Sequence, residues 1–270
     1  MNFQFDHLVH FVKHPLVTIE ELKTQGLHAV EGGKHENYGT YNALCYFDLS
    51  YIELIGVFDQ QLADKATGTK YSLRDTFQKD NYIEGFSRVA LRSSNLEVVA
   101  EHFRNAGLEV FGPAPLSRRR PDGSVVSWKL LFAGNPNDQV ELPFFIQWDE
   151  SDEDRKQDLI HQSAIAPHQA GNVSLSSVGF AVNDVEKVVE NWSKYLDLQV
   201  GESFIDESLQ AKGQRLILAG GDLVFYSPIG EGLVSKTLEE RGEKPFIVEF
   251  SGANENTQFE LCGATYRLTK

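Results

Sequence analysis

The stretch GGKHENYGTYNAL at residues 32–44 carries more chemistry than a turn requires. Its glycines alone suffice to reverse the chain, because glycine reaches positive backbone angles at little steric cost. His35, Asn37, Thr40 and Asn42 therefore read either as turn polars that satisfy backbone groups or as one wall of a site. Two further residues interrupt apolar strand patterns: His7 within FDHLVHFV at 5–12 and Glu53 within YIELIG at 51–56. A carboxylate inside a sheet is costly unless it is paired, hydrogen-bonded or bound to metal, so Glu53 is the residue hardest to explain as structure. Strand alternation places His7 with Phe5 and Val9, and Glu53 with Tyr51 and Ile55. The run Arg118, Arg119, Arg120 stands before Pro121-Asp122-Gly123, a turn signal. The default for such a run is a solvated hairpin end; alternation also allows Arg118 and Arg120 to face a cavity while Arg119 faces water.

These residues need a scaffold. At 270 residues and 41% hydrophobic content the chain can bury a large core, between one large domain and two ordinary ones. A formal charge of -14 gives a field that repels phosphate backbones, which argues against nucleic acid as a partner. No segment has the pattern of an export signal or the apolar length of a membrane span, so the expectation is a cytoplasmic protein with no membrane partner. Cys45 and Cys262 lie far apart in apolar segments and read as buried small hydrophobes rather than a disulfide.

One unit recurs. A strand at 5–12 precedes a helix with Thr18 and Glu21 at capping-box spacing; a strand at 86–93 precedes a helix with Ser94 and Glu97; VGFAV at 178–182 precedes one with Asn183 and Glu186. Extended segments follow each helix: YNALCYF and YIELIGVF, then WKLLF and LPFFIQW, then RLILA and LVFYS. A degenerate fourth piece has a helix near 234–241 and strands at 246–250 and 259–268, without an evident opening strand. The class is α+β, built from repeated βαβββ modules. Residues 1–150 form a domain of two modules, 151–171 a connector that reads as a solvated spacer with room for a short helix, and 172–270 a third module with the degenerate fourth. His161 and His168 read as structural residues of the connector, placed where it could fold over a cavity built by the modules.

FDHLVHFV, GGKHENYGTYNAL, YIELIG, RRRPDG with the following SWKLLF, and LPFFIQW together resemble the vicinal oxygen chelate superfamily, in its glyoxalase-like branch. The likeness spans the first 150 residues; the last 100 match in general form only. It implies paired modules forming an open barrel of the glyoxalase and bleomycin-resistance type, often holding a divalent metal such as Fe, Mn, Zn or Ni. Carried over, the ligands would be His7, Glu53 and, from the glycine turn, His35. Two imidazoles and a carboxylate leave coordination positions open for water and substrate. The second module departs from this pattern, with Arg88 where His7 stands and Phe145 or Gln147 near the place of Glu53. The alternative is a metal-free polar cluster in which Glu53 fixes His7 or pairs with Arg88.

The resemblance implies a small-molecule enzyme of lyase, isomerase or ring-opening dioxygenase type, in which a metal or Arg88 stabilises an anionic oxygen while Glu53 or His7 moves a proton. Arg88, Asn42, Arg118, Arg120, Trp128 and Trp148 are the expected substrate contacts, and the substrate an anion that a guanidinium clamps. The competing reading is a metal-free binding or resistance protein whose aromatic cup sequesters a small molecule. Self-association as a homodimer is common in the fold. No nucleophile elbow, Walker loop or dinucleotide fingerprint is present.

Overall fold

The computed structural model describes residues 2–65, 68–120 and 122–270. Pro121 of the expected turn lies outside the described residues, but the reversal itself is present, with Gly123 N–H donating to the Arg120 carbonyl and Arg120 N–H to that of Ser124.

The first module runs β1 (Gln4–Phe11), α1 (Pro15–Thr24), β2 (Val30–His35), β3 (Thr40–Phe47) and β4 (Ser50–Val57). Two short helices, α2 (Gln60–Lys65) and α3 (Leu73–Lys79), lead to the second: β5 (Gly85–Arg92), α4 (Leu96–Asn105), β6 (Glu109–Arg119), β7 (Val125–Gly134) and β8 (Phe144–Trp148). After α5 (Asp152–His161), the third module comprises β9 (Gly171–Ala181), α6 (Val185–Leu196), β10 (Gln199–Asp206), β11 (Ala211–Ile217) and β12 (Asp222–Pro228). Then come α7 (Leu233–Arg241), β13 (Lys244–Ala253), β14 (Thr257–Leu261) and β15 (Ala264–Leu268).

The first eight strands close a barrel in the order β1-β4-β3-β2-β6-β7-β8-β5, and the remaining seven form a sheet in the order β10-β11-β12-β9-β13-β15-β14. In the barrel β1 runs antiparallel to β5 and parallel to β4; β9 is likewise antiparallel to β13 and parallel to β12. The barrel closes between β2 and β6 through a single pair, Lys34 with Arg119. No described helix is long and apolar enough to cross a membrane.

The main core lies outside the barrel, where α1, α4 and α6 bury their apolar faces and the two sheets meet. Leu96, Val99, Ala100 and Phe103 form the buried stripe of α4, and Val185, Val189, Trp192 and Leu196 that of α6. Across the sheets Phe47 packs on Phe250 at 4.4 Å between ring centroids and Phe86 on Tyr266 at 5.3 Å. His10, fully buried here, bonds Tyr266 Oη at 2.8 Å and the Cys262 carbonyl at 3.1 Å, and burial pushes its pKa down to about 4.

Several expectations shift. Helix α1 starts earlier, behind His14 with Pro15 in its first turn; the caps of α4 and α6 are Asn95 and Asp184, one residue past the expected ones, whose carboxamide and carboxylate accept the Val98 and Lys187 N–H groups. In the fourth piece β13 is itself the opening strand. The expected strand at 259–268 breaks into the hairpin β14–β15, because Cys262 and Gly263 both take positive φ, 44° and 73°, as a tight two-residue turn requires. Both cysteines are free, Cys45 buried and Cys262 half-buried.

Phe145 on β8 is fully buried against Phe3 and Phe103, at 5.2 and 4.8 Å. Phe145→Ala is expected to cost about 3–5 kcal/mol, read as a lower urea midpoint with an unchanged slope.

Candidate active site

Alternation aims one residue in two of each barrel strand inward. Tyr51, Glu53 and Ile55 of β4, Thr40 and Asn42 of β3, Leu116 and Arg118 of β6, Trp128, Leu130 and Phe132 of β7, and Phe144, Ile146 and Trp148 of β8 line a cavity of ≈ 550 Å³. His7 and His35 line it as well. Apolar clusters bound it: Val9, Phe11, Ile55 and Ala90 with Phe77 of α3, and Leu44, Tyr46 and Tyr51 with Leu159 of α5. Polar groups held between such layers interact through little water, which strengthens their electrostatics.

His7 owes its surroundings to a β-bulge. Phe5 pairs with Leu91 and His7 with Ala90, so Asp6 is the extra residue of β1. Phe5 therefore joins the outer core with Leu8, instead of sharing a face with His7 and Val9 as regular alternation predicts. The bulge also brings the Asp6 carboxylate to its neighbour: Asp6 Oδ1 lies 2.7 Å from His7 Nδ1. Asp6 Oδ2 accepts from Trp148 Nε1 at 2.9 Å and lies 3.5 Å from Arg155 Nη1. Burial alone would raise the Asp6 pKa, but Arg155 and the His7 hydrogen bond outweigh it and bring it from 3.8 to about 2. As Asp6 is an ionised acceptor, Nδ1 of His7 carries the hydrogen and Nε2 faces the cavity. That Nε2 lies 3.6 Å from Glu53 Oε2. Tyr51 stacks on the ring at 4.6 Å and Phe144 meets it edge-on at 5.3 Å.

Glu53 is held from its other oxygen. Asn42 Nδ2 donates to Oε1 at 2.6 Å, and Arg118 Nη1 donates to Asn42 Oδ1 at 3.0 Å. Arg118 is 9% exposed, its Nε is buried without a partner, and no carboxylate lies within ion-pair distance among the described residues. Gly32 makes this arrangement possible: a Cβ there would overlap the Asn42 side-chain oxygen and come within 2.9 Å of Arg118 Nη1. Gly33, at φ 143°, lets β2 pass the Arg119 carbonyl. His35 turns its Nδ1 to Thr40 Oγ1 at 3.0 Å, and burial drives its pKa from 6.5 to about 4 despite the opposing influence of Glu53. It is a neutral imidazole at neutral pH.

Other expected contacts lie elsewhere. Arg88 does not line the cavity: its guanidinium meets Glu141 at 3.1 Å, Thr76 Oγ1 at 2.9 Å and the carbonyls of Tyr71 and Leu142, so it is spent on structure beside a second hollow. Arg120 also points away from the cavity, paired with Asp158 of α5 at 2.7 Å. The residue that stands in β8 where Glu53 stands in β4 is Phe144, since β4 pairs Glu53 with Val9 and β8 pairs Phe144 with Ala90; Phe145 is core, and Gln147 accepts from the Leu96 N–H. His161 is exposed, and His168 bonds the His28 N–H and the Tyr46 carbonyl; neither reaches the cavity.

The expected metal ligands were His7, His35 and Glu53. Among the described residues no group of three or more His, Cys, Asp or Glu side chains is arranged to hold a metal ion. His7 and Glu53 are adjacent, but His35 is turned to Thr40, and Glu53 Oε1 is occupied by an amide backed by a guanidinium. The donor set does not fit a divalent metal.

Two residues of the site, Asp6 and Arg155, carry no local sequence signal. Asp6 on a regular strand would face away from His7, and the bulge leaves no local mark. Arg155 sits in the acid-rich connector, read as a spacer; α5 instead docks on the barrel through Arg155 at 3% exposure, with Arg92–Asp152 and Lys156–Asp48 ion pairs at 3.1 and 2.9 Å.

A family profile described as a glyoxalase-like domain matches residues 5–196, more than half of the chain. No curated protein matches the sequence. Among solved structures, a hypothetical protein from Staphylococcus aureus is 25% identical over 99% of this chain and 100% of its own, with a TM-score of 0.81. A mutant of 4-hydroxymandelate synthase from Streptomyces coelicolor is 9% identical over 93% of this chain and 71% of its own, with a TM-score of 0.58, a likeness of fold alone.

Two outcomes follow from the polar floor. The Asp6 pKa is lower in the folded state, so its stabilisation is complete above the unfolded value of 3.8 and is lost as pH falls through about 2. Asp6→Asn should lower stability at pH 7 by on the order of 2 kcal/mol, with the gap to wild type closing between pH 4 and pH 2 in acid unfolding monitored by circular dichroism. Gly32→Ala should expel Asn42 from its bond to Arg118 and lower the melting temperature, checked by calorimetry and by a crystal structure of the variant.

Proposed function

The chain belongs to the glyoxalase-like domain family of the vicinal oxygen chelate superfamily, and from that premise we propose that it is a small-molecule enzyme whose cup moves a proton next to a developing oxyanion. The supporting observation is the approach of His7 Nε2 to Glu53 Oε2, 3.6 Å, at the wall of a cavity that also holds the ion-unpaired guanidinium of Arg118. Glu53 takes the proton from the substrate and His7 shares it; Asp6 holds the His7 tautomer and Asn42 the Glu53 carboxylate. Arg118 binds the anionic group and stabilises negative charge as it develops. Isomerase and lyase chemistry both begin with this step. The reading assigns the work to residues 1–150, assisted by Arg155 of the 151–171 connector, and leaves 172–270 outside the chemistry. Metal has no assigned part in it, because the donor set does not fit one.

The aromatic wall of β7 and β8 favours a second reading, simple sequestration. Solvent-deuterium exchange separates the two. Incubated in D2O with a panel of small 2-oxo carboxylates, the enzyme is expected to exchange the hydrogen next to the carbonyl of at least one, seen by proton NMR, and Glu53→Gln and His7→Ala to slow it about 100-fold or more. Exchange that persists in both variants, or its absence from every compound that binds, counts for sequestration. Stoichiometric metal in protein purified without chelator, lost in Glu53→Gln, would replace this scheme with a metal centre.

A further inference from the structure

The two walls of the cup differ in chemistry, and the difference describes a ligand. On one side β3 and β4 present Thr40, Asn42, Tyr51 and Glu53. On the other, β7 and β8 pair in register: Trp128 opposite Trp148, Leu130 opposite Ile146, and Phe132 beside Phe144 at 6.1 Å between rings. Alternate residues of a strand lie about 6.6 Å apart, so these three rungs make a continuous apolar surface about 13 Å long, with a charged group only at the Trp148 end, where Arg155, which does not line the cavity, stacks on the indole. Trp128 and Trp148 stand 5.5 Å apart at one end. Arg118 lies two residues along β6 from Leu116, which pairs with Trp128, and so marks the polar margin of the same surface.

We propose that the cup takes a monocarboxylate with a planar, apolar body of one or two rings, the body lying on the β7–β8 rungs and the carboxylate on Arg118. A guanidinium that is buried and lacks an ion-pair partner is costly, and a carboxylate offsets that cost where a neutral group does not. A flat apolar body replaces water over the rungs, whose aromatic faces favour a ring over a flexible chain. A second negative charge is excluded by Glu53, which closes the other side of the cavity, in a chain of net charge -14. The inference rests on the reading of Arg118 as the group that meets the anion, and it names what carries that anion.

Two of the three tryptophans line the cup, so quenching of their emission reports occupancy. The probes are 2-naphthoate, its neutral counterpart 2-naphthamide, acetate, and naphthalene-2,6-dicarboxylate. Wild-type protein is expected to bind 2-naphthoate about tenfold or more tighter than 2-naphthamide, and to bind acetate and the dicarboxylate more weakly than 2-naphthoate. Arg118→Gln should erase the advantage of the acid over the amide; Trp128→Ala, read through the remaining tryptophans, should weaken both alike. Equal binding of acid and amide by wild type, a dicarboxylate that binds tighter than the monoacid, or an acid preference that survives Arg118→Gln overturns the proposal. The four-probe comparison on wild type decides it even if the variants do not fold. Absence of deuterium exchange from every 2-oxo carboxylate of the panel, with 2-naphthoate still bound, counts against proton transfer and leaves the ligand class standing.

Discussion

A carboxylate buried at the barrel wall has to be matched by partners, and the arrangement around Asp6 is how this chain meets that demand. A buried, unpaired carboxylate would cost several kcal/mol. Asp6 instead receives the Trp148 indole N–H, the His7 imidazole and the charge of Arg155. Those partners come from β1, β8 and α5, so one electrostatic requirement joins both modules to the helix that follows them. The same contacts set the His7 tautomer and the position of Trp148, which is stacked under the Arg155 guanidinium at 4.4 Å.

The barrel is a duplicated design in which the copies have diverged in chemistry while keeping their geometry. Both β1 and β5 carry an irregularity, at Asp6 and beside Arg88, and the registers pair His7 with Ala90 and Val9 with Arg88. One module uses these positions for an imidazole and a carboxylate; the other uses them for a structural guanidinium and a phenyl ring. A cavity between two such halves is polar on one side and aromatic on the other without any special loop. In the third and fourth modules the inner face is apolar where α7 covers it, through Val224, Tyr226, Ile247 and Val234, and its polar residues Ser177, Glu249 and Arg267 pair among themselves.

Much of this plan is legible in the amino-acid order, and the places where it is not have physical causes. Helical periodicity exposes α4 and α6 because their stripes are strongly amphipathic, and the repetition of strand, helix and strands follows from them. His7, His35, Asn42, Glu53, Arg118, Trp128 and Trp148 could be named because polar residues in apolar strands, and aromatic pairs, stand out locally. Arg88 stood out for the same reason, yet its partner Glu141 lies in a distant loop that only the fold brings near. Strand alternation fails at Asp6 because it assumes no extra residue. Composition conceals Arg155, since a charged run gives no hint of which cation is drawn inside.

The single Lys34–Arg119 pair between β2 and β6 has a mechanical consequence. Every other neighbouring pair of barrel strands shares three or more register positions, so this is the line along which the cylinder parts at least cost. It runs beside Gly32 and Gly33, which pack closely against the Asn42 side chain and the Arg119 carbonyl, and it borders Arg118. Arg118 stands beside that join, so the cavity's guanidinium and the shortest ladder of the barrel share one edge.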